Sequence, residues 1–561
     1  MYFVVLAVLL PGNQFSLAAI KTLKMEKKTK TLLWGLVALF AVLMSIPFLI
    51  PHCGWTALFG IVPLLCMDKI ASESGVRRVW IYHYSAFVLW NAFTTFWVCM
   101  ATVGGGIFAV LANALQMSLI FGLFRYSKKY FTGSLPYIFL AAAWIAWERL
   151  YFGADISWPW LTLGNSFART TSMVQWYEWT GSLGGSLWVW ASNLAIFGMM
   201  SAMADGRWSF WNGKAKAAAV SGTLAVLFVP MIVSLVLYNN YEETDEPLQV
   251  AILQPNIDPY QKFGGMTRDE QNALLEWQIR KVMDARADSS EVLLVAPETF
   301  TGDILINDLS RSRTWRRFRT VLGDYPQANL LFGASARESF GGGARPSHTA
   351  REWDGEWFES RNSALLMDAS GRTDIYHKTK LVVGVEKTPY PAFFCKVDDL
   401  LGGVMGRNVG QDRPSVLTTS GGVPLGCAVC YESVYGDYCR GYVLAGAEAM
   451  TVITNDAWWG DTPGYMQHLS YSSLRAIELR RDIARCGNTG VSAIINQRGD
   501  IVSRTPWWEQ AELCGEINLN TAQTFFARTG DVTGRLCVFV AFFLLLSMFV
   551  RAFTGKGIYG K

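Results

Sequence analysis

The pattern of apolar and polar positions divides the chain in two. Between Thr31 and Asn240 it consists mainly of apolar runs, and a run of about 20 residues is what crossing ~30 Å of hydrocarbon takes. Seven such runs, at 31–50, 54–68, 79–98, 101–124, 134–151, 185–204 and 217–238, precede a long polar stretch. The second of them is the shortest. One more, LCVFVAFFLLLSMFVRAF at 536–553, follows it. The opening MYFVVLAVLLPG is too short before Pro11 and reads as a signal-like remnant outside the count. The expected organisation is an N-terminal cytoplasmic segment (1–30), a seven-helix membrane domain (31–238), a polar domain (239–535), one final span (536–553) and a cytoplasmic tail (554–561).

The polar stretch changes period. PLQVAILQPNI, VLLVAPETF, NLLFGASA, VPLGCAVCYES, AMTVITNDAW and VSAIINQRGDIV read as strands, rich in β-branched residues and bounded by turn formers. SALLMDASGRTDIYHK reads as a hairpin turning at Ala369–Gly371. Helical spacing of Leu274, Leu275, Ile279, Val282 and Met283 predicts a helix over 269–286, and a second is expected over 466–485. The fold class predicted is a membrane α-helical bundle of about eight spans plus a layered α/β domain with buried sheets.

Charge follows the same division. Residues 31–240 carry 17 charged side chains in 210 and residues 241–561 carry 71 in 321, so only the second composition can make a water-facing surface. Lys and Arg outside the polar domain gather before the first span, at Arg77/Arg78, at Arg125/Lys128/Lys129, at Arg207/Lys214/Lys216 and after the last span. All agree with one parity under the positive-inside rule, which places 239–535 outside the cytoplasm. A formal charge of +4 and no basic run interleaved with aromatics in the polar domain exclude a nucleic-acid partner. Five tryptophans between 147 and 179 read equally as an interfacial belt or as the lipid-facing wall of a site. Glu148 and Arg149 near a span end add weight to the second.

Three polar residues follow strand-like runs: Glu298 after VLLVAP, Lys378 after the hairpin, and Cys430 after PLGCAV. Strand ends open toward crevices in layered α/β domains. A cysteine nucleophile, a carboxylate that takes its proton and an ammonium that stabilises thiolate and oxyanion form a coherent acyl-transfer set. The backbone N–H of Tyr431 is a natural second oxyanion donor. Each residue also has an ordinary structural reading, as a packing cysteine, a helix-start carboxylate and a solvated lysine. Cys427 and Cys430 form a lone C-x-x-C, but five histidines and no second pair argue against zinc. Pairing among the ten cysteines is not readable from spacing.

In context, Glu298 in APETF, Lys378 in YHKTKL and Cys430 in CAVCYES resemble the ordered Glu, Lys and Cys of the nitrilase superfamily, whose domain is an αββα sandwich. LQPNI, RNSALLMD, VITNDAWWGD, HLSYSSLRAIELRR, NTGVSAIINQRGDI and, in the membrane half, WPWLTLGNSF resemble its membrane branch, the apolipoprotein N-acyltransferase family. The resemblance spans roughly 31–550. It implies a bacterial inner-membrane enzyme with its catalytic domain facing the periplasm and with no cofactor or metal. Its cysteine would take an acyl chain from a phospholipid, typically phosphatidylethanolamine, as a thioester. The chain then passes to the N-terminal amine of a diacylglyceryl-cysteine lipoprotein. It further implies supporting roles for Glu386, Tyr431 and Glu432, and substrate-binding roles for Phe263 and Asn362. Phe263 stands where the family often has tryptophan. Lys380 and VGVEKTPY replace a histidine and a Gly-Glu-Tyr stretch. The competing readings are a membrane-tethered carbon–nitrogen hydrolase or amidase, and a transporter or structural membrane protein with an appended domain.

Overall fold

Strands β1 (Pro247–Gln254) and β2 (Val292–Val295) show why the polar domain is layered. Val250, Ile252, Leu293 and Val295 face one apolar layer, while Ala251, Leu253, Val292 and Leu294 face another. A strand buried on both faces needs a partner layer on each. The outer layer is supplied by helices Arg268–Asp284 and Arg313–Leu322, the inner one by a second sheet.

A computed structural model describes residues 13–400, 402–403 and 405–555. The MYFVVLAVLLPG segment and the end of the tail lie outside the described residues. The remaining strands are β3 (Thr301–Leu305), β4 (Ala328–Ser339), β5 (Arg351–Trp353), β6 (Glu356–Asp368), β7 (Thr373–His377), β8 (Val416–Thr418), β9 (Pro424–Val429), β10 (Ala449–Thr454), β11 (Ile483–Gly487), β12 (Ala493–Ile495), β13 (Ile501–Arg504) and β14 (Ala511–Asn518). One sheet runs β14-β1-β2-β4-β6-β5, with β3 on β4 and β7 on β6; the other runs β13-β12-β11-β10-β9-β8. β1, β2 and β4 are parallel, as are β9, β10 and β11. The hairpin expected at Ala369–Gly371 joins antiparallel β6 and β7.

One expected helix is too long. The run read as helical over 466–485 is a helix only over Pro463–Leu479. Arg480 closes it in the left-handed region at φ 48°, and Ile483–Gly487 leaves as β11, parallel to β10. The need to complete the central sheet overrides the helical spacing.

Among the described residues, six helical segments are long and apolar enough to cross a membrane: Lys27–Leu49, Gly54–Glu73, Val103–Ser127, Ser182–Ala204, Gly213–Asn240 and Val532–Phe553. Helices Val79–Thr95 and Leu135–Tyr151, where two further spans are expected, have 17 residues each. The short second run is broken into Gly54–Thr56, Ala57–Gly60 and Val62–Glu73. The first helix extends back to Asn13, through part of the segment read as a cytoplasmic leader.

Ionic contacts gather the loops of one end of the bundle. Asp68, buried, pairs with Arg125 and Lys128, and Lys69 lies 2.6 Å from Asp205. The other end is sealed against the sheet domain through Pro463–Leu479. Gln467 Oε1 accepts from Trp160 Nε1 (2.7 Å) and Trp97 Nε1 (3.2 Å), and its Nε2 donates to the Thr94 carbonyl (3.1 Å). Tyr471 donates to the Trp160 carbonyl, and Glu478 accepts from the Ser182 N–H. Unmaking a buried hydrogen bond costs about 1–3 kcal/mol for each orphaned group. Gln467→Ala is therefore expected to destabilise the full chain by about 2–4 kcal/mol. The thermal unfolding midpoint in detergent is the measurement, and an unchanged midpoint would contradict the seam's contribution.

Candidate functional site

The Glu298, Lys378 and Cys430 positions follow the carboxyl ends of β2, β7 and β9. β2 and β7 run the same way in their sheet, so Glu298 and Lys378 share one edge. Lys378 is 1% exposed; its Nζ donates to Glu298 Oε1 at 2.9 Å and to Glu386 at 3.0 Å. Asn362, from β6, donates through Nδ2 to Oε1 of both Glu298 (2.7 Å) and Glu386 (2.6 Å), and its own Oδ1 is buried with no hydrogen-bond partner among the described residues. Burial would pull the Lys378 ammonium below its ordinary range. The Glu298 and Glu386 carboxylates outweigh that and raise it well above. Cys430 lies within electrostatic reach of both Glu298 and Lys378. Burial pushes its thiol up, Glu298 pushes it further, and Lys378 opposes.

Two sharp backbone turns aim these groups. Cys430 has φ 53° and Thr299, next to Glu298, has φ 48°, both in the left-handed region. Non-glycine residues there cost about 1–3 kcal/mol and persist only where the surroundings over-determine them. Gly333 in β4 provides one such surrounding: a Cβ on it would sit 2.5 Å from Glu298 Cα. Behind Cys430 its carbonyl lies 3.0 Å from His468 Nε2 and accepts from Ser433 Oγ at 2.8 Å. His468 Nδ1 is 2.9 Å from Asp456 Oδ1, and Arg485 reaches Asp456 Oδ2 at 2.6 Å. Burial alone would raise the Asp456 carboxyl, but Arg485 and His468 hold it far below the usual carboxylate range.

Glu432 joins the nucleophile's turn to the lysine's. Its Oε1 accepts from the Thr379 and Lys380 N–H groups and the Tyr376 hydroxyl; its Oε2 accepts from the Val429 N–H and the Tyr442 hydroxyl. Tyr431 sits in the first turn of the 3-10 helix Cys430–Val434, and its hydroxyl donates to the Ser157 carbonyl. Trp158 stacks on the Tyr431 ring at 5.9 Å and on Trp160 at 5.1 Å. The tryptophan-rich loop thus forms a wall of the site at Trp158 and Trp160, while Trp179 stays exposed. Glu386 lies in a loop held to the same membrane-side segment, through Lys387 Nζ on Asp155 Oδ1 (2.6 Å). Lys380 donates to the Phe152 carbonyl.

Phe263 falls in helix Pro259–Gly264, but its side chain lies outside the described residues. The same helix brings in a residue that sequence reasoning missed. Lys262 is buried, with Nζ 3.3 Å from Thr299 Oγ1, and burial lowers its ammonium to about 7 against the pull of Glu298. Asp456, His468 and Arg485 were missed as well. Cys427 is buried in the apolar layer between the sheets, against which Cys430 also packs, and all ten cysteines are free thiols.

Residues 249–525 match the family described as carbon-nitrogen hydrolase, and residues 32–195 match the apolipoprotein N-acyltransferase N-terminal domain. An apolipoprotein N-acyltransferase of Chlorobaculum tepidum is 30% identical over 514 residues, covering 89% of this chain and 92% of that protein. One of Geobacter metallireducens is 29% identical over 405 residues, 70% and 71% of the two chains. A solved mutant amidase from Nesterenkonia sp. AN1 covers 52% of this chain and 99% of its own at 17% identity, with a TM-score of 0.35.

Glu432→Gln tests the strut. Whichever way the amide is turned, its NH₂ meets a backbone N–H donor. Losing charge-assisted hydrogen bonds worth about 1.5–3 kcal/mol each, the variant is expected to lose about 3 kcal/mol of stability. A thermal midpoint equal to that of the parent would refute the role.

Proposed function

The chain belongs to the apolipoprotein N-acyltransferase family, and on that footing we propose that Cys430, Glu298 and Lys378 carry its acyl transfer at the seam between sheet domain and bundle. The protein is a multi-pass membrane acyltransferase of lipoprotein maturation. The observation that carries the assignment of residues is the buried Lys378 ammonium, held by two carboxylates with Cys430 in electrostatic reach.

The first half-reaction begins with Cys430 as a thiol. Ionising it unaided would add a charge beside Glu298 and Glu386, which already outnumber Lys378. Passing its proton to Glu298 leaves the cluster's net charge unchanged. The sulfur attacks the ester carbonyl of a phospholipid, and Lys378 Nζ with the Tyr431 N–H stabilises the oxyanion. Collapse expels the lysophospholipid alkoxide, which takes the proton back from Glu298, and leaves an acyl thioester on Cys430. In the second, the α-amine of a diacylglyceryl-cysteine N-terminus attacks that thioester. Glu298 takes the amine's proton and returns it to the departing sulfur as the C–S bond breaks, leaving an amide, the Cys430 thiol and an ionised Glu298. Asn362, which positions both carboxylates, keeps one buried acceptor, Oδ1, that suits an incoming N–H. Glu386 positions Lys378. The wall of Trp158 and Tyr431 supports water exclusion, which the thioester requires.

The phospholipid donor, phosphatidylethanolamine in the first instance, and the lipoprotein acceptor both reside in the bilayer, which accounts for a site walled by a membrane-side loop. We place the sheet domain on the periplasmic side of the inner membrane. Supporting this, the ionic loops around Asp68, Arg125, Lys128 and Asp205 gather at one end of the bundle, away from the sheet domain. On this reading the membrane domain occupies 31–238, the catalytic domain 239–535 and the last span 536–553.

Two measurements test this reading. With phosphatidylethanolamine alone, Glu298→Gln is expected to slow Cys430 thioester formation by ~10²–10⁴, the usual worth of a general base. Lys378→Met is expected to cost on the order of 10²–10³ as a lost oxyanion donor. Mass spectrometry of the acylated protein reads both, and near-parental rates in both variants would refute the roles. Reporter fusions near positions 240 and 535 are expected to report the periplasm; a cytoplasmic signal at either would overturn the orientation.

A further inference from the structure

Helix Pro463–Leu479 has two working faces. Gln467, His468 and Tyr471 turn toward the tryptophan seam and Cys430. Tyr465, Met466, Leu469, Ser470 and Ser473, at helical spacing on another side, line a separate cleft of about 790 Å³. Its other walls are the membrane-side residues Pro51, His52 and Arg169 and the sheet residues Arg504 and Trp507.

The cleft is cationic. Arg169 and Arg504 are close enough that each guanidinium repels the other, and the Tyr465 hydroxyl interacts with both. Among the described residues no carboxylate pairs with either. Asp500 also lines the cleft, but it accepts from the Tyr238 hydroxyl at 2.9 Å and lies 3.6 Å from Arg498. Asp461 lies 3.4 Å from the Tyr465 hydroxyl. Arg169 is fixed by donating to the Leu49 carbonyl at 2.9 Å. Tyr465 and Trp507 stack at 3.9 Å, making an aromatic wall with polar edges.

Its position says what would neutralise it. Pro51 and His52 directly follow the last turn of the first membrane helix, and Ile50 and Trp55 beside them are exposed apolar side chains. A ligand with a phosphate between two arginines and hydrocarbon against Ile50 and Trp55 satisfies both halves. We propose that this cleft binds the phosphate of a phospholipid as an accessory lipid site, apart from the Cys430 site, pinning the sheet domain to the bilayer surface.

The test uses the full chain carrying Cys430→Ala, so that no lipid is held covalently. Purified protein is incubated with phosphatidylglycerol and examined by native mass spectrometry. Arg504→Glu, at an exposed strand end, is the primary variant, because Arg169 also braces Leu49. The charge reversal is expected to remove one tightly bound lipid, weakening it by on the order of tenfold or more, as for a lost Arg–phosphate contact. Arg504→Lys is expected to keep most of it. Diacylglycerol, lacking phosphate, is expected not to fill the site, and millimolar inorganic phosphate not to empty it. An unchanged lipid count in Arg504→Glu, or equal binding of diacylglycerol, overturns the proposal. Full displacement by inorganic phosphate overturns it in favour of a free-anion site. Trp507→Ala, which removes the aromatic wall and leaves the charges, gives a second reading: it is expected to weaken the same lipid, and an unchanged count there also counts against the proposal.

Discussion

An ammonium group almost wholly removed from water is the constraint around which the site is built. Taking such an ion out of water costs several kcal/mol even after relaxation, and only well-placed counter-charges offset it. Lys378 has two, Glu298 and Glu386, and Asn362 tethers both of them. The four groups come from the end of β2, the end of β7, the loop after it, and β6. Only a sheet in which β2, β4, β6 and β7 are neighbours in the observed order brings them together. The same requirement explains why β4 carries Gly333 beside Glu298, where any Cβ would force the backbone apart.

The bundle does more than tether. If the membrane helices were only an anchor, their contacts with the sheet domain would be few and solvated. Instead Gln467 answers two indole N–H groups and a backbone carbonyl, and Glu478 reaches the Ser182 N–H. Arg480 binds Glu178 and Gln175. Buried polar groups matched across a boundary leave unpaired donors and acceptors if the boundary opens. The wall that Trp158 and Trp160 contribute is thereby held in register with Tyr431 and Cys430.

The predicted roles rest on residues that differ in how readable they are from sequence. Glu298, Lys378 and Cys430 were legible because each follows a strand-like run, and strand ends are where layered α/β folds expose chemistry. The order of the strands was not legible. β14 closes the sheet by pairing antiparallel with β1 more than 250 positions away, and local patterning carries no trace of that. The helix overrun past Leu479 has the same origin, since the partner that turns Ile483–Gly487 into a strand is β10. The tryptophan loop read two ways because an interfacial belt and a site wall share a composition. His468, Asp456 and Arg485 escaped notice because a buried charge on an otherwise apolar element looks like a surface residue until its partners are known.

Those three residues acquire a reason once the backbone at Cys430 is considered. Cys430 adopts the left-handed conformation at the end of its strand, a conformation disfavoured for any side chain with a Cβ. Something must hold the peptide that follows. The Cys430 carbonyl is met by Ser433 and His468, and His468 is oriented by Asp456, itself fixed by Arg485 on the neighbouring strand. A neutral chain of hydrogen bonds could satisfy the carbonyl but would leave His468 free to rotate. The ionised Asp456–Arg485 pair fixes one orientation in a fully buried setting, where charge-assisted hydrogen bonds are strongest. The Asp456–His468–Arg485 network is therefore best understood as the support that keeps the Cys430 turn in its strained conformation.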